Sequence, residues 1–96
     1  MSNEEKYVNA FVEALGVEKE NVKKLEYQSV PEWDSVGHMS LVAAIEDTFD
    51  IMMDTDDIID FNSYDKGIEL LKKYDVHIEG WGWRWRIIVK KNIVVQ

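Results

Sequence analysis

The stretch that decides the fold is DSVGHMSLVAAIEDTFD, residues 34–50, which predicts a long amphipathic helix over about 35–50. Asp34 is a good N-cap, because its carboxylate can accept hydrogen bonds from the free amides of the first turn. Apolar side chains follow at helical spacing and predict a core-facing stripe, namely Leu41, Val42, Ile45 and Phe49. We expect a neighbouring face, small and mixed in character, to be exposed. It consists of Val36, Ser40, Ala43 and Asp47, with Glu46 beside it.

A second helical pattern precedes this stretch. Ser2 and Glu5 have the spacing of a capping box, which predicts a helix over about 3–15. Gly16 follows the last apolar residue of the pattern and can end the helix.

The segment 17–34 has a poorer pattern, with one turn of helix predicted at 18–24. Pro31 blocks the continuation of a helix there. A loop this long inside a small domain usually has a functional reason.

Two further helices are predicted after residue 50. The first is short, begins at Asp54 or Thr55, and has an apolar side that we expect to face inward, formed by Ile58, Ile59 and Phe61. The second is capped by Asn62 or Ser63. Its apolar residues are expected to face inward, namely Tyr64, Ile68, Leu71 and Tyr74. The fold class is therefore predicted to be all-α, a four-helix bundle with three main helices and one short helix.

The charge of the chain is uneven. All 19 acidic residues and seven of the 11 basic residues lie in 1–79, which gives that part a net charge of −12, whereas four basic residues give 80–96 a net charge of +4. The acidic part should repel nucleic acid and attract basic protein surfaces. There is no cysteine, no signal-peptide pattern at the N-terminus and no apolar run long enough to span a membrane. We therefore expect a cytoplasmic location and no thiolate chemistry from the side chains.

The C-terminal segment changes its period. Trp81, Trp83 and Trp85 alternate with glycine and arginine, and β-branched residues follow, a pattern that favours a strand or hairpin. Residues 1–76 are thus predicted to form the helical domain, and 77–96 a β-like or disordered extension. Such a segment can bind a membrane surface or nucleic acid, pair with another chain, or be an added sequence, so no function is assigned to it. We expect a monomer unless this extension associates.

The order of these elements resembles the acyl carrier protein family over residues 3–75. The agreement is closest over 25–74, where Trp33-Asp34-Ser35 opens the long helix and Phe61-Asn62-Ser63-Tyr64 opens the last one. Trp33 before the Asp-Ser pair is more similar to stand-alone carriers of specialised pathways, including D-alanyl carriers, than to the housekeeping fatty-acid carrier.

The resemblance implies that Ser35 carries a covalent 4′-phosphopantetheine arm derived from coenzyme A. It also implies three partners, which are a phosphopantetheinyl transferase, an acyl- or aminoacyl-activating ligase, and an acyltransferase or synthase. The protein is then not itself an enzyme. Cargo on the arm can be fatty acyl, hydroxyacyl, D-alanyl or another aminoacyl group, and the residues do not choose among these.

The resemblance also implies a partner-binding face on the long helix. Carried over by position, that face comprises Asp34, Val36, Ala43, Glu46 and Asp47. The sequence departs from the family at Ser40, where many members have an acidic residue, and at Gly37-His38. Gly37 lowers helix propensity by about 1 kcal/mol against alanine, and we interpret it as admitting close approach of a partner or the arm. Met39 is interpreted as a core residue, and His38 as a surface residue beside the arm.

These motifs admit three other interpretations. Ser35 can be only part of a helix cap, in which case the chain is an acidic helical adaptor without a prosthetic group. Asp34, Ser35 and His38 invite a hydrolase hypothesis, but they lie within one turn and there is no Gly-x-Ser-x-Gly elbow. Four aspartates close together suggest a calcium loop, namely Asp54, Asp56, Asp57 and Asp60. Their spacing lacks the glycine and the terminal glutamate of an EF-hand. We therefore predict that they cap a helix and form a solvated acidic face.

Overall fold

A computed structural model describes residues 2–78. In this range the chain forms four α-helices, α1 (Asn3–Leu15), α2 (Ser35–Phe49), α3 (Thr55–Asp60) and α4 (Tyr64–Leu71). Two short 3₁₀ helices, η1 (Lys19–Lys24) and η2 (Lys72–Tyr74), accompany them. The all-α class is therefore confirmed for the described range. Of the predicted β-like or disordered extension 77–96, residues 79–96 lie outside that range.

The ends of the helices follow the capping signals in the sequence. The Ser2 hydroxyl accepts a hydrogen bond from the Glu5 amide at 3.2 Å, which is one half of the predicted capping box. Gly16 ends α1 in the left-handed conformation, with φ 68°, where glycine carries no side-chain penalty. Ser63 caps α4 by accepting from the Lys66 amide at 3.0 Å. These short-range signals were sufficient to place both helices.

The core lies between α1, α2 and α4 and is closed by the segment 17–34. That segment is pinned by three buried side chains, Val22, Leu25 and Trp33. Trp33 is 0% exposed, and its ring lies 5.5 Å from that of Phe11 and 6.3 Å from that of Phe61. The long loop therefore places a tryptophan in the centre of the core, which the sequence pattern did not reveal.

The C-terminal end of the described range belongs to the same core. Val76 and Ile78 are 7% and 2% exposed and pack into the cluster of buried apolar residues. The Asn3 side-chain amide donates to the carbonyl of His77 at 3.0 Å, which fixes this end of the chain beside the start of α1.

Two predicted core residues are exposed in the structure. Ile59 was expected to face inward but is 70% exposed, and Met39 was expected in the core but is 57% exposed. α3 has only six residues, so the apolar pattern there is too short to define one inward side. Met39 lies beside the stripe formed by Leu41, Val42 and Ile45, on an exposed part of α2.

Asp57 is buried, contrary to the prediction that it belongs to a solvated acidic face. It is 3% exposed, and its carboxylate accepts hydrogen bonds from the Lys73 ammonium at 2.7 Å and from the Tyr74 hydroxyl. The Tyr74 hydroxyl also accepts from the backbone amide of Asp54 at 2.9 Å. Two donors compensate the loss of water around the carboxylate, and the contact fastens α3 to η2.

This contact makes the stability depend on pH in the acid range. The hydrogen bonds from Lys73 and Tyr74 hold the pKa of Asp57 below its usual value. The folded state therefore binds the proton more weakly than the unfolded state. The stabilisation is complete above the unfolded-state pKa of about 3.9 and is lost as the pH falls through the lower folded-state pKa.

We expect Asp57→Asn to lower the free energy of unfolding at neutral pH by about 1–3 kcal/mol, as for hydrogen bonds between charged groups. The variant should also lose less stability than the natural chain between pH 4 and pH 2, measured by urea unfolding at a series of pH values. Asp56→Asn, at the exposed neighbouring position, is the control and should keep the acid dependence. An unchanged acid dependence in Asp57→Asn would contradict this assignment.

Gly37 admits a neighbouring loop of the same chain. A Cβ atom at this position would lie 2.0 Å from the carbonyl oxygen of Glu32 and 3.1 Å from Leu15 Cδ2. The interpretation that Gly37 admits a partner or the arm is therefore corrected. The glycine lets the end of the 17–34 segment cross directly over the first turn of α2.

No helix within residues 2–78 combines the length and the apolar character that crossing a membrane requires.

Candidate functional site

Ser35 is the first residue of α2 and is exposed. Asp34 precedes it as the N-cap, and its Oδ1 atom accepts from the Gly37 amide at 2.8 Å. The Ser35 hydroxyl lies 3.3 Å from the Tyr27 hydroxyl, which comes from the 17–34 segment. The serine thus stands at the positive end of a 15-residue helix, a position that favours an attached anion.

An apolar groove of about 370 Å³ begins at Ser35 and runs between α2 and α3. Its walls come from three parts of the chain, the 17–34 segment, α2, and α3 with the loop that follows it. The lining residues are Tyr27, Ser35, His38, Met39, Ile58, Ile59, Phe61 and Asn62. The groove explains why Met39 and Ile59 are not in the core, since both form its apolar sides.

His38 bridges Trp33 and α3, which corrects its interpretation as a surface residue. The Trp33 indole nitrogen donates to His38 Nδ1 at 3.0 Å, and His38 Nε2 lies 2.7 Å from the carbonyl oxygen of Ile58. An indole nitrogen can only donate, so Nδ1 is the acceptor and Nε2 carries the proton that is donated to Ile58. Both nitrogens of the imidazole are therefore engaged in hydrogen bonds.

This geometry also bears on the hydrolase hypothesis. A general base needs a ring nitrogen directed at the nucleophile. Since Trp33 and Ile58 take up both nitrogens of His38, neither is directed at Ser35. The three residues Asp34, Ser35 and His38 therefore act as cap, exposed hydroxyl and structural bridge.

Four of the five predicted partner-binding residues on α2 and its N-cap are exposed, and the fifth, Glu46, is half-buried. Val36 is 76% exposed, and Asp34, Ala43 and Asp47 are exposed as well. Glu46 is half-buried, and its Oε2 atom accepts from the backbone amide of Met53 at 2.8 Å. Glu46 therefore orders the turn after α2 in addition to contributing charge to the face.

The acidic residues around α3 do not converge on a common point. Within residues 2–78 there is no group of three or more histidine, cysteine, aspartate or glutamate side chains that could hold a metal ion. Both carboxylate oxygens of Asp57 accept hydrogen bonds, one from Lys73 and the other from Tyr74. Asp54, Asp56 and Asp60 are exposed, as predicted for a solvated acidic face, whereas Asp57 is buried. Asp54 precedes α3 without a side-chain capping hydrogen bond.

Comparisons of the chain with models of protein families, with curated proteins and with solved structures found no match.

Proposed function

We propose that this chain is an acyl carrier protein, with a 4′-phosphopantetheine arm attached to Ser35. The observation that supports the proposal most strongly is an exposed serine hydroxyl at the N-terminus of α2, at the edge of an apolar groove. An arm needs an accessible oxygen, a site that tolerates a phosphodiester anion, and freedom to reach other proteins. Ser35 has an accessible oxygen, and the helix dipole favours the anion.

Attachment needs a transferase, Mg²⁺ and coenzyme A. The Ser35 oxygen attacks the β-phosphorus of the coenzyme A diphosphate, a new O–P bond forms, and the bond to the departing adenosine 3′,5′-bisphosphate breaks. The hydroxyl proton passes to a base of the transferase. Once bound, the group supplies a terminal thiol on which acyl groups are held as thioesters.

The residues around Ser35 position the attachment point and take no part in bond making. Asp34 caps the first turn of α2 through the Gly37 amide, and this turn carries Ser35. Tyr27 is placed to donate a hydrogen bond to that oxygen after esterification, because the two oxygens are already 3.3 Å apart. No charged base beside Ser35 is required, since the transferase supplies it.

The exterior of α2 would serve as the docking face for the transferase, the activating ligase and the acyltransferase or synthase. Asp34 and Asp47 contribute negative charge that would steer encounter with a basic rim. Val36, 76% exposed beside the attachment site, would be the apolar anchor, and Ala43 allows close approach. Glu46 adds charge to this face while holding Met53.

The test of this proposal is a change in intact mass. After incubation with coenzyme A, Mg²⁺ and a broad-specificity transferase, we expect the natural chain to gain the mass of one phosphopantetheine. Ser35→Ala should gain nothing, whereas Ser40→Ala, an exposed serine further along the same helix, should load like the natural chain. Failure of the natural chain to load under conditions that load a known carrier would refute the proposal.

The rival function is an acidic adaptor without a prosthetic group. The observation that favours it is the exposure of four large apolar side chains, Val36, Met39, Met52 and Ile59, on an acidic domain. An adaptor would gain no mass in the same experiment. It would also bind its partner equally well after Ser35→Ala, whereas a carrier depends on that hydroxyl.

A further inference from the structure

A layer of three aromatic rings lies at the inner side of the groove, and two of them, His38 and Phe61, line it. The rings of Trp33 and His38 are stacked at 6.1 Å, and each of them meets the ring of Phe61 edge to face, at 6.3 Å and 6.0 Å. Behind this layer the ring of Phe11 lies 5.5 Å from Trp33 and 6.2 Å from Phe61. Trp33 and Phe61 are 0% and 1% exposed. The groove therefore ends at a packed aromatic layer that separates it from the core.

The outer wall of the groove is α3, which is fastened at two separate points. On the side of α2, His38 donates to the carbonyl of Ile58 at 2.7 Å. On the side of η2, Lys73 and Tyr74 donate to the buried Asp57. Moving α3 outward would break these hydrogen bonds, so their net stabilisation favours the position of α3 seen here.

The volume of the groove sets a limit on what it can hold. About 370 Å³ is at the lower end of the range of about 300–1,000 Å³ found for pockets that hold one small molecule. An arm attached at Ser35, which lines the groove itself, would occupy part of that volume. A long alkyl chain would then have to remain in water, and each exposed methylene forfeits the free energy of burial.

We infer that the cargo is a short acyl group of a few carbons, such as an acetyl, hydroxyacyl or aminoacyl group, held over the surface groove, and that the fold does not enclose a long alkyl chain. This inference rests on the proposed attachment at Ser35. The limit on chain length has a different physical basis from the attachment itself. It depends on the Trp33-His38-Phe61 layer and on the hydrogen bonds that hold α3 to α2 and to η2.

The experiment uses the full chain loaded with acyl groups of increasing length. A broad-specificity transferase and the thioesters of coenzyme A with acetate, butyrate, octanoate and dodecanoate provide the series, and intact mass confirms each product. Two properties are measured, the urea midpoint of unfolding and the retention on a hydrophobic-interaction column. Ser35→Ala, mixed with the same thioesters, is the control for binding without attachment and should show no change in either property.

We expect the urea midpoint to be the same across the series and the retention to increase with each longer chain, because the added methylenes stay exposed. A urea midpoint that rises with chain length would overturn the inference, since it would show that the added methylenes are buried in the fold. Retention that is independent of length would also overturn it. These failures differ from failure of the proposed function, in which no adduct forms at all and both proposals are refuted together.

Discussion

Trp33→Ala is expected to lower the free energy of unfolding by about 3–5 kcal/mol, the usual cost of removing a buried aromatic side chain and leaving a cavity. Trp33 is 0% exposed and contacts the rings of Phe11, His38 and Phe61. Its indole nitrogen also donates to His38, so the substitution removes a buried hydrogen bond as well. Since small domains are stable by about 5–15 kcal/mol, this change removes a large part of the total.

Urea unfolding followed by far-ultraviolet circular dichroism measures this effect. Met52→Ala is the matched control, because it removes a large apolar side chain that is 85% exposed, and it should change the free energy by less than about 0.5 kcal/mol. A loss of less than about 1 kcal/mol in Trp33→Ala would contradict the central placement of the tryptophan.

Gly37→Ala is expected to destabilise the protein by about 1–3 kcal/mol, although helix propensity alone predicts the opposite sign. Alanine is favoured over glycine inside a helix by about 1 kcal/mol. Here, however, the new Cβ atom would lie 2.0 Å from the Glu32 carbonyl oxygen, which is backbone and can give way only if the loop moves. The loop end that precedes Trp33 and Asp34 would have to shift with it.

The sign of the change in unfolding free energy decides between these two effects. Ser40→Ala, at an exposed position of the same helix, serves as the reference for propensity without a clash, and we expect a change within about 0.5 kcal/mol. If Gly37→Ala is at least as stable as the natural chain, the Glu32 carbonyl does not lie as close to position 37 as described here.

The parts of the fold that the sequence predicts well are those determined within a few residues. The side chains of Ser2, Asp34 and Ser63 each accept a hydrogen bond from the backbone amide three positions on, so the local sequence alone determines these caps. The apolar stripe of α2 follows from the helical period, and Leu41, Val42 and Ile45 are buried as predicted. The exposure of Ser35 agrees with its position directly after the cap.

The parts that the sequence does not predict depend on contacts between distant segments. Asp57 is buried because Lys73 and Tyr74, from the other end of the helical region, supply two donors. The role of His38 depends on Trp33 and on a backbone carbonyl of α3. Neither arrangement leaves a periodic signal, and six residues of α3 are too few to show which side faces inward.

The most direct measurement of the central claim is to locate the attached group by peptide mass spectrometry after loading with coenzyme A. The account predicts that the proteolytic peptide containing Ser35 carries one phosphopantetheine and that peptides containing the other serines carry none. A group on any other residue, or an unmodified Ser35 peptide after exposure to an active transferase, would contradict it.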